Sequence, residues 1–255
     1  MITIKNAAQL DKMRAAGRLL HSVLTRVRGA IRPGETTSAV DAFAEELIRR
    51  AGAVPSFLHY RGYPATICAS IDDEVVHGIP SDRRVLREGS ILSVDCGLVL
   101  DGWQADSAFT VGVGEISPEK RRLIEVTEQC FFVGARMARA GNRVGDIGQA
   151  VQQLAESNGY GVVRDLTGHG IGRSMHEDPT VPNFGEAGQG ARLRAGMTLA
   201  LEPMIAMGGW QVQVDGDGWT VRTRDGSACA HHEHTIAVRE DGLPEILTLP
   251  DFSWE

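Results

Sequence analysis

Apolar and polar positions fall into three regimes along this chain. Near the start, Leu10, Met13, Gly17, Leu20, Leu24 and Val27 recur at the spacing of one helix face, and Asn6 with Gln9 forms a capping pair ahead of them. After the turn Arg32-Pro33-Gly34, the stripe Val40, Phe43, Ala44, Leu47 and Ile48 predicts a second helix that stops near Gly52. Between about residues 54 and 112 the pattern shortens to β-type runs broken by Gly, Pro and Asp. Ser117-Pro118 then caps and opens a third helix carrying Leu123, Ile124, Cys130 and Phe131, and a fourth follows the turn at Gly141. The last ninety residues or so return to strands. No Pro/Ser-rich linker or charge run divides this order of elements. Residues 1–255 therefore read as one domain.

Comparing the chain with itself adds a second layer. A shift of 107 aligns Gly34 with Gly141, Val40 with Ile147, Leu47 with Leu154 and Gly52 with Gly159. The same shift aligns Arg87 with Arg194, Gly89 with Gly196, Leu92 with Leu199, and Asp95 with Glu202. One offset serves a turn, an amphipathic helix and a strand ending on a carboxylate. It favours two related halves, roughly 30–112 and 137–240, with Asp95 and Glu202 in equivalent places.

Composition narrows the class without naming a function. Of 255 residues, 42% are hydrophobic and 23% charged, ordinary globular usage, and this length buries a core without disulfide staples. The 26 basic against 33 acidic residues give a net charge of −7, the wrong sign for a general nucleic-acid binder. No apolar run approaches the roughly 18 residues of a membrane span. The opening MITIKNAAQLDK has no apolar stretch behind a basic end, so no secretory signal is read there. Cys68, Cys96, Cys130 and Cys229 form no CxxC pair and read as reduced cysteines of a cytoplasmic protein.

The placement of the acids is more specific. Asp95 interrupts the apolar run ILSVDCGLVL, and Glu202 interrupts MTLALEPMIA. Carboxylates in such strands are costly unless paired, protonated or bound to a cation, and no Lys or Arg lies in either run. Asp106 follows the turn at Asp101-Gly102. In a hairpin whose opposed residues sum to 203, Asp95 and Asp106 share a face as diagonal neighbours about 7–8 Å apart at the backbone, close enough to reach one ion. Glu233, in AHHEHTIAV, is a further acidic strand position. Any one of these alone is as readily a solvated strand residue. Four together point to a cation supplied from outside the chain.

Histidines complete the set. GHGIGRSMHEDP holds His169 among glycines, a run expected to let backbone approach a ligand closely, with His176 seven residues on. His77 lies in VVHGIP. His231, His232 and His234 crowd Glu233, but no HExxH helix supports a thermolysin-like zinc site. His232 and His234 would point away from Glu233 on a strand, which makes them supporting or structural residues. Neither a dinucleotide-binding nor a phosphate-binding glycine loop is present, and Ser117-Pro118-Glu119-Lys120 is explained as a helix start. An oxygen-rich set with one imidazole suits two divalent cations of the Mn, Fe, Co or Zn kind, roughly 3.5–4 Å apart.

The order Asp95, Asp106, His169, Glu202, Glu233 resembles the five-ligand dinuclear centre of the bacterial type I methionine aminopeptidases, and VVHGIP, SVDCGLVLDGWQADSAFTV, LTGHGIGRSMHEDP, LALEPMI, DGWTVRT and EHTIAV are similar to that family's surrounding segments. The resemblance covers nearly the whole chain to about Val238. It implies the pita-bread fold, a pseudo-twofold α+β architecture with a curved antiparallel sheet and helices on its outer face. It implies Asp106 and Glu233 as bridges between two ions, His169 and Glu202 completing one, and Asp95 chelating the other. It further implies Glu202 as proton shuttle, His176 at the developing oxyanion, His77 beside the scissile amide, and a methionine pocket of Phe57, Tyr60, Tyr63, Cys68, Met175 and Trp219. Val76, Met175 and His59 depart from the usual residues of the family, which bears on pocket shape. The implied activity is removal of initiator methionine from nascent chains with a small second residue, by a cytoplasmic monomer. Two alternatives remain. One is a proline-specific peptidase of the same fold, though such enzymes carry a sizeable domain before this one. The other is a non-catalytic binding relative, which would be expected to have lost ligands. Residues 1–50 hold nine basic against five acidic side chains, either an ordinary solvated helix face or a ribosome-facing patch.

Overall fold

A computed structural model describes residues 2–254. Within them four α-helices form as the patterns predict. Helix α1 (Ala7–Ala30) starts on a reciprocal cap: Gln9 N–H donates to the Asn6 side chain, and the Gln9 side chain accepts from Asn6 N–H, both at 3.0 Å. Helix α2 (Thr37–Arg50) follows, capped by Thr36, then α3 (Pro118–Met137) on Ser117 and α4 (Val144–Ser157).

A nine-stranded sheet carries the site. Its working strands are β1 (Ile67–Ile71), β2 (Ile91–Leu100), β3 (Trp103–Gly112), β4 (Thr167–Gly170), β5 (Glu177–Pro182), β6 (Thr198–Leu201) and β8 (Glu233–Ala237). Between β6 and β8 in sequence, β7 (Cys229–His231) belongs to a separate three-stranded sheet. Along the main sheet the order is β2-β3-β8-β6-β4-β5, all antiparallel, with β1 on the outer edge of β2. Asp101 and Gly102 both take positive φ, 50° and 76°, as a two-residue type I′ hairpin loop requires. They set the β2–β3 register so that Gly97 faces Asp106 and Asp95 faces Ala108, the sum of 203 that the hairpin arithmetic anticipates.

Strand alternation then sorts the two faces. Val94, Cys96, Leu98, Ala105 and Phe109 pack into a core with α1 and α2. A second core joins Phe131 of α3 and Ile147 of α4 to Val181, Leu199, Leu201 and Ile236 of the sheet. Asp95, Asp106 and Glu233 have the opposite parity and stand on the face away from these helices. Backbone contacts recur at the 107-residue offset. The bridge Thr36–Val85 has its counterpart in Arg143–Arg192, and the bond from Gly34 N–H to Leu86 C=O in that from Gly141 to Leu193. Among the described residues no helix is long and apolar enough to cross a membrane.

Candidate metal centre

The four acids and one imidazole singled out from sequence occupy two adjacent rows across one sheet face. In the first row, Asp106 of β3 exchanges hydrogen bonds with the Thr235 hydroxyl, Thr235 pairs with Ala200, and Ala200 pairs with His169. In the second, Asp95 and Glu233 both flank Ala108, and Glu202 lies two residues beyond Ala200. Alanine at 108 and 200 leaves space between the larger side chains. Asp106, His169 and Glu233 each offer a ligand atom within 4.8 Å of the others. His169 Nε2 is 3.7 Å from Glu202 Oε1 and 3.9 Å from Asp106 Oδ2.

These residues fit a bound divalent cation on their hydrogen bonding alone. Asp95 Oδ1, Asp106 Oδ1 and Glu233 Oε1 are buried without a hydrogen-bond partner among the described residues. Buried carboxylate oxygens left this way are expensive, and a divalent ion is the simplest group that satisfies several at once. The His169 Nδ1 lies 2.8 Å from Gly170 C=O, which assigns the proton to Nδ1 and leaves the Nε2 lone pair facing the acids. Burial pushes the Asp95, Glu202 and Glu233 carboxyls well above the usual range, and their mutual repulsion with Asp106 adds to it. Burial likewise raises Asp106, to about 7. Burial lowers His169 to about 4, with His176 adding to the effect, so its imidazole is neutral and available as a ligand.

Around this floor lies a cavity of about 170 Å³. Phe57, Tyr60, Tyr63, Cys68 and Trp219 line it, as sequence reasoning expected, together with His77 and His176. Tyr63 is anchored by its hydroxyl to the carbonyls of Ile67 and Gly78, both at 3.1 Å, and Trp219 packs edge-on against it at 5.1 Å. His176 sits on a short turn held by Glu177, which takes a 2.7 Å salt bridge from Lys5 and accepts from Arg173 N–H at 3.0 Å. Its Nδ1 is 2.8 Å from the Tyr60 hydroxyl, and its ring lies 4.2 Å from that of His169. His77 adopts a positive φ of 60° beside Trp219. Burial, with His176 nearby, lowers His77, and burial, with Arg61 nearby, lowers His176. Both are uncharged near neutral pH.

One expectation needs correction. Met175, read as a pocket residue, is not in the cavity wall. It is 2% exposed and packs in the core with Met13, Trp103 and Leu247, its methyl beneath Gly97 and Phe57. The glycines beside His169 have a packing reason. A Cβ at Gly168 would overlap the Ala200 carbonyl, and one at Gly170 the Asp178 carbonyl, so both exist to let β4 close on its neighbours.

The structure also adds two residues. Arg61, held at a positive φ of 52°, stands at the cavity mouth with its guanidinium 5.4 Å from the centre of the Tyr60 ring. His231 places Nε2 3.9 Å from Glu202 Oε2 and 4.0 Å from Glu233 Oε2. Its spacing of two from Glu233 was the available signal, since alternate strand residues share a face. His232 and His234 lie on the helix side, within 5.5 and 5.0 Å of the Phe131 ring centre, and His234 Nδ1 contacts Thr248 and Ser107 hydroxyls.

Residues 11–240 match the model of a family described as metallopeptidase family M24. A methionine aminopeptidase of Clostridium acetobutylicum is 51% identical over 249 residues, which span 98% of this chain and 99% of that protein. Methionine aminopeptidase 1 of Mycobacterium tuberculosis is 47% identical over 251 residues, 96% and 94% of the two chains. The crystal structure of methionine aminopeptidase from Rickettsia prowazekii aligns with a TM-score of 0.96 at 42% identity, covering 98% of this chain and all of that one.

Proposed function

This chain belongs to metallopeptidase family M24, with its α+β pita-bread fold, and from that premise we propose that it removes the N-terminal methionine of peptides and proteins by hydrolysing their first peptide bond. It is a metal-dependent methionyl aminopeptidase. The observation that carries the reading is the cluster of unpartnered carboxylate oxygens on the floor of an apolar-walled cavity, in a chain that matches methionine aminopeptidases end to end. That end-to-end match also favours methionine removal over a proline-specific activity, and the full ligand set argues against a non-catalytic relative.

Asp95, Asp106, His169, Glu202 and Glu233 would hold two divalent cations, with Asp106 and Glu233 available to both; Co, Mn, Fe and Zn all suit this donor set. When bound, such ions polarise a carbonyl and bring the pKa of a water toward neutrality. The chain's own groups do the rest. Phe57, Tyr60, Tyr63, Cys68 and Trp219 take the methionine side chain, with Met175 supporting the wall from below. Glu202, on the cavity floor, takes a proton from the water that attacks the carbonyl carbon and hands it to the leaving amine as the C–N bond breaks. With the Tyr60 hydroxyl donating to Nδ1, His176 keeps a hydrogen on Nε2 and offers it to the oxygen that gains charge at the scissile carbonyl. His77 hydrogen-bonds the amide on the other side of the cavity.

Substrate choice gives the direct test. After dialysis against chelator and metal add-back, Met-Ala-Ser is expected to release methionine in a metal-dependent manner, while Ala-Pro peptides stay intact. Absence of metal-dependent methionine release refutes the assignment. We further assign the enzyme to the cytoplasm, acting on nascent chains whose second residue is small, with basic residues of α1 and α2 facing the ribosome. Co-sedimentation with ribosomes that weakens as salt rises is the expected result. Binding that is absent or indifferent to salt removes the ribosome from the picture.

A further inference from the structure

Outside the five ligand residues, one imidazole in the centre has no role yet. His231 is 1% exposed, and neither of its ring nitrogens has a hydrogen-bond partner among the described residues. An imidazole ring always carries a donor, and burying one unpaired costs free energy unless its working state supplies a partner. The acceptors facing Nε2 are Glu202 Oε2 at 3.9 Å and Glu233 Oε2 at 4.0 Å, one carboxylate just past the end of β6 and one at the start of β8. Both separations exceed the roughly 3.2 Å limit of a made bond, so the ring is aimed at the pair without being bonded to either. The terminal torsion of a glutamate is soft, and a modest rotation of either carboxylate closes the gap. The backbone that carries the buried ring is fixed. His231 ends β7, where it pairs with Met204, and its backbone N–H donates to the Thr110 hydroxyl while its carbonyl accepts from the same group.

We propose that His231 is a positioning residue, a fixed donor that holds the Glu202 and Glu233 carboxylates in their metal-binding orientation. The inference rests on the metal assignment above. His231 would restrain both carboxylates from the side of their Oε2 atoms, an arrangement in which loss of the outer partner weakens metal binding by about 10- to 100-fold.

The test is calorimetric titration of the chelator-dialysed full chain with Mn(II). His231→Leu is expected to bind about tenfold more weakly than the parent or worse, and His231→Gln, which keeps a donor, to recover most of the affinity. In saturating Mn(II), the Leu variant is expected to lose kcat with KM for Met-Ala-Ser little changed, since the ring does not line the methionine pocket. Should the Leu variant fail to fold, His231→Asn, whose shorter amide cannot reach, serves in its place with the same expectation. A folded Leu or Asn variant binding Mn(II) within threefold of the parent overturns the proposal. A parent that takes up no Mn(II), Co(II), Fe(II) or Zn(II) overturns the metal assignment itself, so the two failures are told apart.

Discussion

Glu202→Gln is expected to lower turnover of Met-Ala-Ser by about 10³-fold while leaving the fold intact. The substitution keeps the side chain's size and hydrogen-bonding capacity but removes the proton acceptor. It also replaces a carboxyl whose ionisation is opposed by burial and by Asp106 with a group that cannot ionise. A neutral amide therefore adds no repulsion, and the metal-free variant should melt no lower than the metal-free parent near pH 8. That combination separates chemistry from stability. Most inactivating core substitutions lower both, whereas this one should lower only the rate. Metal uptake must be followed alongside kcat, because Glu202 is assigned both as ligand and as base. A variant that keeps its metal and loses turnover supports the proton role. Full activity removes Glu202 from that role, and lost metal with activity restored at high metal concentration assigns it to ligation alone.

The sequence carried this site because strand parity is arithmetic. Once Asp101-Gly102 is read as a two-residue loop, the register of Asp95 and Asp106 follows, and the anomaly of acids in apolar runs is visible without coordinates. The capped helices were equally legible, Asn6 with Gln9 and Ser117 with Pro118 being local chemistry. What the sequence withheld depends on packing between distant segments. Met175 lies one residue from His176, yet it packs in a core cluster behind Phe57 and Tyr60 while His176 lines the cavity. The glycines around His169 look like a ligand loop in sequence, and only the approach of β5 and β6 shows that they serve sheet closure. His231 obeys the same parity rule as Asp106, lying two residues from Glu233, but its closeness to Glu202 depends on where β6 ends. The 107-residue repeat joins helix and strand at one offset, and we propose that the two halves derive from one unit. The backbone bonds at Gly34 and Gly141 support that reading.

Stripping the metal is expected to abolish turnover and to invert the pH dependence of stability above pH 6. The sign follows from which state resists charge. Asp95, Glu202 and Glu233 have carboxyls raised well above the unfolded value near 4, and Asp106 is raised to about 7. Below pH 4 these groups are protonated folded or unfolded and contribute nothing. As pH rises, the unfolded chain ionises freely while the metal-free fold must keep its protons or bury like charges, so stability is lost progressively through pH 7 and beyond. The histidines act from the other side. His169 is lowered to about 4, and burial takes His231 and His234 to about 3. The unfolded chain gains protons on these residues below about pH 6.5 while the fold refuses them, so acidification is destabilising too. Between about pH 4 and 6.5 the two effects oppose each other, and above about 6.5 only the carboxyl arm remains, so metal-free protein loses stability as pH rises past neutrality. Bound cations neutralise the carboxylates and cancel the alkaline arm alone. Melting temperatures of chelator-dialysed and metal-loaded protein, compared from about pH 5 to 9, should therefore diverge as pH increases. Metal binding near pH 7 should also release protons, seen as a binding enthalpy that changes with the ionisation enthalpy of the buffer. Parallel melting curves with no proton release would show that the acids are not held neutral in the empty site, and the cation would then have no electrostatic debt to relieve.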